Sequence, residues 1–172
     1  SVRYEDANTD TLTETAPGSC QFFTPDNDQL YISASGVALL RYSAGSGRTG
    51  IALIFPEQTL PVSVVAGTWN EIGFGRDTSS DPFAGWSAQS TLDAAGNFTR
   101  NLDCGTGLGV TCTDDTLPTQ LRANADGGFD STYQGDPFRM FAFRTASGGT
   151  MLVAASPDGA NLSVLAKEGS LT

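Results

Sequence analysis

From Cys20 onward the chain consists of short apolar runs separated by clusters of Gly, Asp, Asn and Ser. Within the runs the side chains tend to alternate. In Trp69–Gly75, Trp69, Glu71 and Gly73 fall on one face and Asn70, Ile72 and Phe74 on the other, the period of a β-strand. The pattern predicts strands over 20–24, 29–34, 37–43, 49–55, 61–66, 69–75, 84–92 and 97–102. A second group follows over 119–124, 128–133, 138–145, 150–156 and 161–167. Asp93–Asn97, Ala125–Gly128, Ala146–Gly149 and Pro157–Ala160 sit between such runs. Gly supplies the positive φ that tight hairpins require, and Asp or Asn tolerates it. No segment carries a 3.6-residue apolar stripe of helical length. The expectation is an all-β fold, an antiparallel meander closing into a barrel or a strongly curved two-layer sandwich.

Residues 1–18 lack this periodicity. Glu5, Asp6, Asp10 and Glu14 stand among Thr and Asn, which predicts a polar linker or arm, with a single β domain over 19–172. Inside that domain, Ala38–Tyr42 followed by Gly50–Ile54 echoes Phe141–Thr145 followed by Gly149–Val153. Each is an Arg-ended apolar strand, a Gly/Ser turn and an apolar return, which duplication or ordinary hairpin grammar explains.

Composition narrows the function classes. The chain of 172 residues has no His, which removes Ser-His-Asp and Cys-His catalysis and histidine-ligated metals. A net charge of −10 argues against nucleic acid, where affinity comes from neutralising phosphates. No apolar run is long enough for a transmembrane helix. Of the three Cys, Cys104 and Cys112 bracket a Gly-rich loop and are read as a disulfide worth roughly 2–3 kcal/mol; Cys20 is left odd. Oxidised cysteines, a single Lys and abundant Asp, Thr and Ser suggest an extracytoplasmic protein: secreted, periplasmic or cell-surface. Arg over Lys and frequent Ala fit a GC-rich bacterial genome. The start at Ser1 without Met suggests an upstream segment.

Gly67-Thr68-Trp69 at the head of an alternating strand, with a long meander after it, resembles the Gly-x-Trp opening strand of the calycin barrels, the lipocalins and avidin-like proteins. The resemblance covers residues 67–167, and strand-like chain also precedes it. It implies that Trp69 closes the base of a barrel beneath a basic side chain from the final strand. Lys167 is the matching residue and Arg144 the second candidate.

Trp86, beside Gly85, is a residue type that stacks on a sugar or lines a pocket mouth, or that anchors a loop with Phe83. Glu71 is the one Glu within a clear strand. Trp69, Trp86 and Glu71 are therefore the candidate ligand-binding residues. Without His an enzyme would rely on carboxylates. Glycoside hydrolysis needs two across a cleft, and Glu71, Asp103, Asp130 and Asp136 show no pairing in their spacing. Asp26-Asn27-Asp28, Asp114-Asp115 and Asp77 with Asp81 offer oxygens for calcium, but none has EF-hand order. No catalytic residue, metal or cofactor is assigned. The reading is a non-enzymatic extracytoplasmic binding module for a small apolar ligand. The alternatives are a surface or structural domain that binds a partner protein as part of a longer chain, and a carboxylate glycoside hydrolase.

Overall fold

A computed structural model of the chain describes residues 2–3, 9–34, 36–43, 46–55, 60–75, 84–105, 111–125, 127–145, 147–157 and 159–168. The strands in order are β1 (Val2–Arg3), β2 (Thr9–Asp10), β3 (Thr13–Glu14), β4 (Gln21–Phe23), β5 (Gln29–Ile32), β6 (Ala38–Ser43), β7 (Thr49–Ile54), β8 (Gly67–Gly75) and β9 (Ala84–Leu92). They continue as β10 (Phe98–Gly105), β11 (Thr113–Asp114), β12 (Arg122–Ala123), β13 (Phe129–Tyr133), β14 (Asp136–Arg144), β15 (Thr150–Ala155) and β16 (Asn161–Lys167). Every pairing is antiparallel, and the fold is all-β, as the alternation predicts.

The chain divides into two compact units, Ser1–Pro56 and Glu57–Thr172. The expected boundary between residues 18 and 19 falls inside the first, where β3 pairs with β4 across it (Thr13 opposite Phe23). β3 to β7 form a five-stranded meander. Its register aligns Phe22, Leu30, Leu40 and Ala52 on one face. Leu30, Ala38 and Leu40 are buried there with Phe22, Ile32 and Ile54 packed against them. The opposite face exposes Tyr31, Leu39 and Leu53.

The second unit is one nine-stranded sheet in the order β11-β10-β9-β8-β16-β15-β14-β13-β12. The first long strand of this unit pairs with the last: Trp69 lies opposite Lys167 and Gly75 opposite Asn161. That pairing curls the sheet into a half-barrel, with β11 and β12 as the two edges of its seam. Residues 115–121 run across the seam and bond to both sides. Asp115 N donates to Asn101 O (2.9 Å) and Asn101 Nδ2 to Thr116 O (2.9 Å). On the far side Thr119 N donates to Thr132 O (2.8 Å), and Leu121 N returns to the near side, donating to Gly96 O in the β9–β10 turn (2.9 Å).

Two predicted strands are corrected. Residues 61–66 form a 3-10 turn over Val62–Val65, because Pro61 fixes its start and no neighbouring strand offers a ladder. Of 119–124 only Arg122–Ala123 is strand; the residues before it divide their hydrogen bonds between two partners. The strands before Cys20, and β11, were not predicted. Both Arg-ended hairpins exist in equivalent register, Arg41 opposite Ile51 and Arg144 opposite Thr150.

Candidate functional site

The second unit has a filled end and a hollow end. At the filled end Trp69 is fully buried among Val65, Leu92, Phe98, Leu121, Phe129, Ala142, Leu152 and Leu165. Its indole Nε1 donates to Val65 O at 2.7 Å, so the 3-10 turn satisfies the one polar atom that burial would otherwise strand. Lys167 Nζ stands 5.7 Å from the ring centroid, a cation–π distance. Gly67, at φ +133°, makes this possible, since a Cβ there would lie 2.6 Å from Lys167 Cε. Arg144, the second candidate, instead sends Nη1 towards Gly148 O (3.4 Å) in the β14–β15 turn. The described strands between Gly67 and Lys167 therefore belong to one sheet, with Lys167 against the Trp69 ring.

At the hollow end lies a cavity of about 860 Å³. Its floor is the upper surface of the core: Phe98, Met140 and Leu165. Above this the inward positions become small, with Ala88, Ser90, Ala154 and Ser163 on β9, β15 and β16. Trp86 lies directly opposite Gly73. A Cβ on Gly73 would come within 2.0 Å of the Trp86 ring, and one on Gly75 within 3.1 Å of it. The indole thus lies across a notch that only glycine leaves open, and its Nε1 donates to Glu71 Oε1 at 3.0 Å.

Polar groups ring the space. Ser90 Oγ donates to Asn101 Oδ1 (2.8 Å), both buried. Asp103 Oδ1 accepts from Gly105 N (2.7 Å). The Tyr133 hydroxyl donates to Asp115 Oδ2 (2.5 Å) and accepts from Gln134 Nε2 (2.7 Å). Burial, then the hydrogen bond to and charge of Asp115, push the Tyr133 phenol up to about 12, with Asp103 adding in the same direction. Asn101 and Asp103 reach the cavity through a register shift between Phe98 and Arg100. One extra residue reverses the alternation, so Phe98, Asn101 and Asp103 share the inner face.

Of the three expected ligand-binding residues, Glu71 and Trp86 line this cavity, whereas Trp69 lies in the core below it. Asp103 and Asp136 also line it. Asp130 does not: it pairs with Arg139 (3.2 Å) and accepts from Asn124 Nδ2. Tyr133, Ser163, Asn101 and the lining role of Asp115 escaped the sequence reading. The calcium candidates do not converge. Asp28 Oδ1 accepts from Ser43 N, and Asp114 points to Arg100 (3.9 Å) while Asp115 turns to Tyr133. Asp77, Asp81 and Phe83 lie outside the described residues, among which no metal-binding cluster of His, Cys, Asp or Glu occurs. Cys104 and Cys112 are disulfide-bonded, and Cys20 is a free, exposed thiol. No helix among the described residues is long and apolar enough to cross a membrane.

An open groove of about 400 Å³ on the first unit is lined by Tyr31, Val37, Leu39 and Leu53 together with Ser19, Cys20 and Ser33. The larger cavity of the second unit, with more polar groups in its lining, is the candidate site. Gathering Glu71, Asp103, Asp115 and Asp136 in one lining meets one requirement of carboxylate hydrolysis. Glu71, Asp103 and Asp115 each accept one hydrogen bond, on Oε1, Oδ1 and Oδ2 respectively. No family model matches the chain, and comparison with curated proteins and with solved structures returns no match.

Proposed function

We propose that the second unit is a non-enzymatic binding module that takes one small, largely apolar molecule into its cavity, and that it works outside the cytoplasm. The observation that carries this is the cavity of about 860 Å³. It lies within the usual range for small-molecule sites and combines an apolar floor with a few oriented polar groups. The Cys104–Cys112 bridge supports an oxidising compartment. The Trp69–Lys167 contact supports kinship with the calycin barrels, whose Gly-x-Trp strand this one resembles.

Titration with the neutral dye N-phenyl-1-naphthylamine tests the reading. One-to-one saturation is expected, and Ala154→Trp, which fills the cavity, weakens it by about tenfold or more. No saturable binding, or equal binding by the filled variant, overturns it. A partner-binding surface is the second reading, favoured by Ile72, Phe74 and Val164 on the outer face. Ile72 is 72% exposed and sits opposite Val164 across β8–β16. An Ile72→Ser/Phe74→Ser variant that loses self-association or partner capture while retaining the dye would favour it.

A further inference from the structure

The cavity has one sign of charge. Its ionisable lining is Glu71, Asp103, Asp115, Asp136 and the Tyr133 phenol; among the described residues no Lys or Arg lines it. Nor does any of these four carboxylates have an ion-pair partner among the described residues. The described salt bridges, Arg100–Asp114 and Arg139–Asp130, use other acids. The hydrogen bonds from Trp86, Gly105 and Tyr133 orient three of the carboxylates without neutralising them.

Two features of the lining bear on what would occupy the cavity. Ser163 is only 4% exposed and lines it, and its hydroxyl has no hydrogen-bond partner among the described residues, so it opens onto the empty space. Trp86 is seated in the Gly73 notch with its nitrogen on Glu71, which places an aromatic ring and a carboxylate side by side in one wall. A ring beside a carboxylate in a concavity attracts organic cations, because the ring quadrupole and the negative charge act together.

We propose that the occupant is a small organic cation. Its ammonium group lies at the Glu71–Trp86 wall and its apolar body rests on Phe98, Met140 and Leu165. This rests on the cavity-binding reading above and goes beyond it by excluding anionic amphiphiles, whose carboxylate would meet only like charge.

Three probes of one shape provide the test: 1-naphthylmethylamine, 1-naphthalenemethanol and 1-naphthoate, titrated calorimetrically into the intact chain at neutral pH. The amine binds about tenfold or more tighter than the alcohol, and the naphthoate more weakly than either. The advantage of the amine shrinks several-fold between about 0.01 M and about 1 M salt, as the screening length falls from about 30 to about 3 Å. Glu71→Gln keeps Oε1 as the acceptor for Trp86, and it reduces the amine-to-alcohol ratio several-fold. Equal binding of amine and alcohol, or preference for naphthoate, overturns the cation inference while leaving the cavity reading standing. An unchanged ratio in a folded Glu71→Gln variant overturns the placement at Glu71. Failure of all three probes overturns the cavity reading and this inference with it. If Glu71→Gln does not fold, the three probes on the unaltered chain still decide.

Discussion

Replacing Gly67 with Ala tests the filled end of the barrel, because two separable costs meet there. The first is backbone strain: Gly67 sits at φ +133°, a region that side-chain-bearing residues occupy at a cost of about 1–3 kcal/mol. The second is displacement: the new Cβ would stand 2.6 Å from Lys167 Cε, so the flexible lysine must swing off the Trp69 ring. At 5.7 Å from the centroid that contact contributes about 0.5–1 kcal/mol. Gly67→Ala alone should therefore cost about 1.5–4 kcal/mol. Lys167→Ala removes both the contact and the obstruction, so in that background Gly67→Ala should cost the strain alone. The double variant is then more stable than the sum of the singles predicts by about 0.5–1 kcal/mol. Urea unfolding followed by tryptophan emission is the assay. Trp69 and Trp86 are the chain's two tryptophans, and both belong to the second unit, so the signal reports that unit alone. Strict additivity would show that the lysine does not rest on the ring. A cost for Gly67→Ala below about 0.5 kcal/mol would refute the strained backbone.

Truncating Trp69 to Ala should cost about 3–5 kcal/mol in the same assay, the penalty for a fully buried large aromatic. The Tyr133 phenol, raised from 10.0 to about 12, stabilises the fold fully below pH 10, and this stabilisation is lost as pH rises through 12. Two pKa units would be worth about 2.7 kcal/mol if the group were dry; water at the cavity mouth reduces this to about 1 kcal/mol. Tyr133→Phe should abolish that alkaline loss, and tyrosinate absorbance should lose its latest-titrating phase. Reducing Cys104–Cys112, whose partners are separated by 8 positions in sequence, should cost about 2–3 kcal/mol; peptide mapping that finds both as free thiols would contradict the bridge. Gly73→Ala should evict the Trp86 ring, shift its emission to the red and destabilise by about 1–3 kcal/mol.

Local alternation was legible. The Trp69–Gly75, Ala84–Leu92 and Asn161–Lys167 runs became strands nearly to the residue, because period-2 patterning and glycine turns act over short range. Misreadings arose where partners decide. Pro61–Ala66 has strand composition but no neighbour to bond to, and 119–121 has two. In β10 a period-2 reading places Phe98 with Arg100 and Leu102, and the register shift replaces them with Asn101 and Asp103. A bulge depends on pairing and leaves no mark in composition. Trp86 was visible as a pocket residue, but its seat on Gly73 follows from cross-strand register. Ser163 and Tyr133 looked like ordinary strand residues and Asp115 like a calcium candidate, since nothing local brings them to one cavity.

The two ends of the second unit follow from a gradient of side-chain size along the same strands. On β8 the inward residues run from Trp69 through Glu71 to Gly73 and Gly75; on β9 they run from Leu92 through Ser90 to Ala88, and Trp86 beyond them fills the space that Gly73 leaves. β15 passes from Leu152 to Ala154 and β16 from Leu165 to Ser163. Interior volume is filled where the side chains are large and left open where they are small, with no change in backbone pairing. The hydrophobic stabilisation therefore gathers around Trp69, leaving the Glu71–Trp86 wall free to carry charges that a packed core would not tolerate. Substitutions in the Trp69 layer should accordingly shift the unfolding midpoint with little effect on probe affinity at temperatures where the fold persists. Substitutions at Ala88 or Ala154 should change affinity more than stability. A single layer governing both quantities equally would mean that the cavity is part of the core.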